Sequence, residues 1–143
     1  MQRKPGDMTT QPRTAGPRFL VTGAAGNVGR AVLTELIARG YRARGLYRSA
    51  REAMVGVEPV IGDLNEPASL ERALDQVAAA FLLPGYADMP GLVRLAERAG
   101  SRVVLLSSIE AATQDTGNAV VAYMLDSETA VRAAEVPWCI LRP

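Results

Sequence analysis

The chain has 143 residues, 48% of them hydrophobic, and a formal net charge of +1. That length suits one domain around one core, and the charge balance leaves no electrostatic footprint for direct contact with nucleic acid. There is no histidine, a single lysine (Lys4) and a single cysteine (Cys139), which excludes a Ser-His-Asp triad, a histidine or thiolate metal site, and the lysine of a phosphate-binding P-loop.

Residues 1–17 place Pro5, Gly6, Pro12, Gly16 and Pro17 among polar neighbours and carry a net charge of +2. They are expected to form a disordered tail, with Met8 a second candidate start, so that the domain occupies residues 18–143. The chain shows neither the apolar centre of a signal peptide nor a run long enough to span a membrane. No membrane partner is therefore expected, and the cytoplasm is the default compartment.

Phe19-Leu-Val21 reads as a short buried strand. Gly23, Gly26 and Gly29 follow with G-x-x-G-x-x-G spacing, and from Asn27 the apolar positions Val28, Val32 and Leu36 take a helical period. A strand, a glycine turn and a helix start form the context of a dinucleotide site. Gly23 allows the turn off the strand, Gly26 offers no side chain to obstruct a pyrophosphate, and Gly29 allows close helix–strand packing. The N–H groups of Ala25, Asn27 and Val28 belong to the same anion-binding turn.

Gly40 is placed to end this helix. A second strand is expected over Arg42–Tyr47, a short helix near Ser49, and a third strand over Val57–Ile61. Gly62-Asp63-Leu64 closes the third strand, and Pro67 opens a helix with Leu70, Ala73, Leu74 and Val77 on its apolar face. The continuous apolar run Ala78–Leu83, bounded by Pro84-Gly85, suits a strand buried on both faces. A helix opened by Asp88 and Pro90 carries Leu92, Leu95, Ala96 and Ala99 inward and stops at Gly100. Val103–Leu106 is the fifth strand and ends at Ser107-Ser108. A polar loop leads to a helix over Ala119–Glu135, with Val120, Met124, Val131 and Ala134 on its inner side. Trp138–Leu141 is the last strand, with Cys139 read as a small buried hydrophobe. This alternation predicts a Rossmann-like, doubly wound α/β fold. Its sheet has about six parallel strands in the order 3-2-1-4-5-6, with helices on both faces.

In such a sheet ligands bind beyond the carboxyl ends of the strands. Arg48 ends strand two, where a carboxylate would hold the ribose of NAD. An arginine there favours the 2′-phosphate of NADP, with Ser49 and Arg51 as further donors; the alternative is a solvated surface arginine. Asp63 either accepts from the adenine amino group, with Leu64 on the ring, or caps the following helix. Leu83 and Pro84 should run beside the ribose and pyrophosphate. Ser107 and Ser108 face the expected nicotinamide end, where a serine holds a carbonyl substrate or simply forms a turn. Tyr123 is a candidate general acid, against which stands Ser127, not lysine, four residues on; core or surface packing is the alternative.

Val21-Thr-Gly-Ala-Ala-Gly-Asn-Val-Gly29, Arg44-Gly-Leu-Tyr-Arg48, Gly62-Asp-Leu64, Phe81-Leu-Leu-Pro84, Leu105-Leu-Ser-Ser108 and Pro137-Trp-Cys-Ile-Leu-Arg-Pro143 resemble the NmrA-like branch of the atypical short-chain dehydrogenase/reductases. The resemblance implies NADP as cofactor, with NAD the alternative, and hydride transfer to a small-molecule quinone, azo or carbonyl acceptor. It also implies that Gly23, Gly26 and Gly29 hold phosphate, Arg48 the 2′-phosphate, Asp63 and Leu64 the adenine, and Leu83 and Ser107 the stretch along the cofactor. The branch includes regulators that bind a dinucleotide without turning it over. Members continue beyond Leu-Arg-Pro into a segment that builds the substrate pocket, so the chain reads as truncated. A truncated, inactive fragment is then a further alternative, and the face that segment covers would be open to a second copy or another protein.

Overall fold

The computed structural model of the protein describes residues 16–50 and 53–143. The expected tail lies outside these residues up to position 15, as does Arg51. The elements are β1 (Arg18–Val21), α1 (Asn27–Ala38), β2 (Arg42–Tyr47), β3 (Glu58–Ile61), α2 (Glu71–Leu74, entered through a 3-10 turn over Pro67–Leu70), β4 (Val77–Leu82), α3 (Met89–Arg98), β5 (Arg102–Leu106), α4 (Ala119–Arg132) and β6 (Trp138–Leu141). The six strands form one sheet in the order β3-β2-β1-β4-β5-β6, and every pair is parallel. The expected strand order is therefore observed.

The alternation of side chains along each strand builds two apolar layers. Leu20, Leu46, Ala80, Leu82, Val103 and Leu105 face one layer, closed by Leu70, Leu74, Leu92, Leu95 and Val131 from the helices α2, α3 and α4 and their approaches. Val21, Ala43, Tyr47 and Phe81 face the other, closed by Leu33, Val32, Leu36 and Ile37 of α1. Because α1 packs on β1 and β2, it leaves the β6 end of its own sheet face bare. This explains one correction: Cys139 is exposed rather than buried, as is Leu141, which lies on the same face two residues later.

Three further expectations shift. Val77 does not extend the face of α2, because the chain leaves the helix at Asp75, turns through Gln76 at a φ of 54° and enters β4 with Val77 buried. Ala99 is exposed at the end of α3. The inner side of α4 is rotated from the apolar reading: Val121, Ser127, Glu128 and Val131 are buried, while Val120 is 40% exposed. The rotation follows from a polar requirement, taken up below. A 3-10 turn over Ile109–Thr113 precedes the polar loop and α4.

At the edge away from the carboxyl ends of the strands, Arg44 is buried within β2. Its Nη1 donates to the carbonyls of Arg72, Ala73 and Asp75, at 3.1, 2.8 and 2.9 Å. These carbonyls end α2, where a cation also meets the negative end of the helix dipole. Nη2 bonds Glu58 at 2.8 Å, and Arg18 reaches the same carboxylate at 3.1 Å. The Arg44 hydrogen bond, joined by the charges of Arg44, Arg18 and Arg42, holds the Glu58 carboxyl below its usual range. An Arg44→Met variant should lose about 2 kcal/mol of stability, the cost of stranding buried acceptors. Urea denaturation checks this; an unchanged midpoint would show that the carbonyls find water instead.

Candidate functional site

The site begins where β1 ends. Thr22 is fully buried and ties β1 to β4 twice, its backbone N–H and its hydroxyl both donating to the Phe81 carbonyl at 3.0 and 2.8 Å. The chain then turns at Gly23, whose φ of 61° is left-handed, and the turn is closed by the Gly26 N–H on the Gly23 carbonyl at 2.9 Å. Gly29, one turn into α1, lies so close beneath that carbonyl that a Cβ would be driven into it. A Cβ on Gly26 would meet the Gly23 oxygen at 3.3 Å, a tight but single contact.

The start of α1 differs from the other long helices. Asp88 caps α3 by accepting from the Gly91 N–H at 2.8 Å, and Asn118 caps α4 by accepting from Val120 at 2.9 Å. At α1 the N-cap is Gly26 and no side chain caps it. The N–H groups of Asn27, Val28 and Gly29 thus belong to an open first turn, whose dipole end is positive.

This turn opens on a cleft of about 310 Å³ at the carboxyl ends of β1 to β4. Of the residues named from sequence, it brings together Gly23, Ala25, Gly26, Arg48, Leu64 and Leu83; Ala24, Leu46, Tyr47, Gly62 and Tyr86 also line it. Arg48 is exposed at the rim, and Ser49 follows it, also exposed. Asp63 makes the capping-type turn, its Oδ1 accepting from the Asn65 N–H at 2.8 Å. Pro84 is half-buried beyond the end of β4. Sequence reasoning named none of these five as site residues; for Tyr86 the only signal was its place one step past Pro84-Gly85.

Ser107, Ser108 and Tyr123 stand outside this cleft. Ser107 is buried and donates its hydroxyl proton to Glu128 at 2.7 Å. Ser108 accepts from the Glu110 N–H at 3.2 Å and so caps the 3-10 turn. The ring of Tyr123 lies against Gly85, and its side chain is 40% exposed.

Glu128 was also missed. It is 2% exposed and accepts from Arg142 (Nε to Oε1, 2.8 Å) as well as from Ser107, with Arg132 at 3.5 Å. The Arg142 hydrogen bond, helped by Ser107, by the charge of Arg142 and by Arg132 against the cost of burial, holds its carboxyl down to about 2. A charged side chain can be buried here because its partners arrive from three elements. That requirement turns α4 away from the purely apolar orientation. The one available sequence signal was Arg142 itself, a lone charge in the apolar run Trp138–Leu141 and its sequel.

The open helix start, the side-chain-free turn and the cleft beside Arg48 fit the pyrophosphate and adenosine of a dinucleotide. Comparison with known proteins agrees. A family model described as NAD(P)H-binding matches residues 23–143. A (4-alkanoyl-5-oxo-2,5-dihydrofuran-3-yl)methyl phosphate reductase of Streptomyces griseus is 37% identical over 132 residues, covering 87% of this chain and 46% of the reductase. The crystal structure of a Citrobacter triphenylmethane reductase complexed with NADP(H) superposes with a TM-score of 0.76 and 26% identity, covering 87% of this chain and 48% of that one. A short-chain dehydrogenase/reductase superfamily protein from Agrobacterium tumefaciens with bound NAD gives a TM-score of 0.74 at 26% identity over the same shares, 87% and 48%. The chain therefore spans about half the length of the relatives it matches, and these relatives agree with its resemblance to NmrA-like reductases.

The Glu128 carboxyl sits below its ordinary value of 4.5 in the fold. It therefore contributes stability that is complete above that value and is lost as pH falls toward about 2. The stability deficit of a Glu128→Gln variant relative to wild type, measured by urea midpoints, should narrow across that window. A deficit independent of pH would mean that the carboxylate charge contributes nothing.

Proposed function

We propose that this chain, which belongs to the NAD(P)H-binding family, is an NADPH-binding reductase module that serves hydride transfer to a quinone, azo or carbonyl acceptor. The observation that carries this reading is the uncapped, glycine-lined start of α1 opening on a cleft with Arg48 at its rim. The first N–H groups of α1, at Asn27, Val28 and Gly29, would donate to the pyrophosphate. Arg48 would give its fork of donors to the 2′-phosphate, and Ser49 stands next to it. Leu64 and Leu83 would wall the adenosine. Asp63 spends Oδ1 on Asn65, and its Oδ2 is the atom assigned to the adenine amino group.

Bound in this cleft, the cofactor supplies the hydride. The chain's own residues would bind and orient it. Of the two serines ending β5, Ser107 gives its proton to Glu128, so it does not serve as a donor to an acceptor carbonyl. Ser108 accepts from backbone and keeps its hydroxyl proton, which makes it the better donor. Tyr123 is the weaker candidate, since Ser127 rather than a cation stands one helical turn on.

Calorimetric titration of the full chain with NADPH and NADH tests the reading. Wild type should prefer NADPH. Arg48→Ala should weaken NADPH by about 10- to 100-fold, the worth of a charge-assisted hydrogen bond, and leave NADH nearly unchanged; equal losses would remove the 2′-phosphate role. Gly26→Val should abolish binding of both while leaving the domain folded. NADPH consumption with an added quinone separates a reductase from a regulator, which would bind tightly without turnover.

A further inference from the structure

Ser127 lies on α4, outside the cleft, and is 1% exposed. Its hydroxyl donates to the Tyr123 carbonyl one turn back, at 2.7 Å, a common way for a helical serine to satisfy its proton. The lone pairs this leaves accept the Gly85 N–H at 3.0 Å. Gly85 has a left-handed φ of 92°, and the Tyr123 ring covers it, 3.1 Å from where a Cβ would stand. The next residue, Tyr86, lines the cleft and also packs on the helix-side core. Among the described residues, the Ser127 hydroxyl is the group that hydrogen-bonds the backbone of residues 84–87. Beyond them Asp88 fixes the chain again by capping α3.

We infer that Ser127 is a positioning residue for the dinucleotide cleft: from α4 it pins the Gly85 turn and thereby sets Tyr86 as a fixed wall facing the glycine loop. This rests on the cleft being the dinucleotide site. The turn has no side chain at Gly85, a left-handed backbone and an exposed surface, so without the Ser127 bond it samples other positions and carries Tyr86 with it. A mobile wall must be ordered when ligand binds, and that ordering is subtracted from affinity. Serine at this position thus contributes to dinucleotide affinity although it touches no dinucleotide.

The test is a double-mutant cycle read by calorimetry with NADPH on the full chain. Ser127→Ala should weaken binding about tenfold, the scale of one lost buried hydrogen bond. Tyr86→Ala should also weaken it. In the Tyr86→Ala background, Ser127→Ala should have almost no further effect, because both act through one wall. Combined with Arg48→Ala, the effect of Ser127→Ala should instead multiply. Ser127→Thr, which keeps the hydroxyl, should restore binding. If Ser127→Ala fails to fold, Gly85→Ala disturbs the same turn, its Cβ strained by the left-handed φ and pressed on the Tyr123 ring, and should show the same lack of additivity with Tyr86→Ala. A folded Ser127→Ala protein with wild-type affinity, or losses that multiply with Tyr86→Ala, would overturn the proposal alone. A wild-type chain that binds no NADPH would overturn the cleft assignment, and this proposal with it.

Discussion

The crossing of two backbones at Gly29 and Gly23 is the constraint on which the site depends. No Cβ fits between them, so α1 packs against β1 at a separation set by main chain alone. That contact aims the first turn of α1 at the ends of β2, β3 and β4. It also accounts for the missing cap: a side chain folded over the helix start would occupy the place that the glycines leave clear. The first turn of this helix is left to solvent, whereas α3 and α4 are capped by side chains.

The other half of the sheet is held by two neighbouring residues on α4. Ser127 reaches the turn after β4, and Glu128 reaches Ser107 at the end of β5 and Arg142 just past β6. One helical step therefore fixes the carboxyl ends of three adjacent strands. These strand ends are also joined by the backbone, with the Ser107 N–H donating to the Leu141 carbonyl at 2.7 Å. A buried carboxylate is an expensive way to fasten three elements, and hydrophobic contact would be less costly. What the ionic arrangement adds is direction, because a guanidinium and a hydroxyl accept only one placement around it.

Most of the fold was legible in the sequence because its signals were local. Glycine spacing marked the turn, unbroken apolar runs marked strands buried on both faces, and Asp88-Met-Pro90 and Pro67 marked helix starts. Strand order then followed from handedness. The parts that were not legible depend on partners far apart in the chain. The orientation of α4 is set by Arg142, fourteen residues beyond Glu128, and an apolar count along the helix put Val120 inward. Cys139 reads as core by its neighbours, yet it lies on a stretch of sheet that α1 does not reach. Tyr86 follows Gly85 in a turn that is hydrogen-bonded by a serine 42 positions from Gly85, which no local pattern records.

Arg44 within β2 and Arg48 just past its end, four residues apart, have opposite circumstances. Arg44 is closed in, its guanidinium spent on three carbonyls and a carboxylate. Arg48 stands at the open end of the same strand, at the cleft rim. The sheet thus keeps the charge that maintains its architecture at one end and the charge proposed to meet a ligand at the other, with an apolar layer between. On the proposed role of Arg48, such a separation makes cofactor choice a modular trait. Position 48 is free to drift toward a carboxylate or back, in a laboratory selection or over evolutionary time, without drawing on the interactions that keep β2 in place.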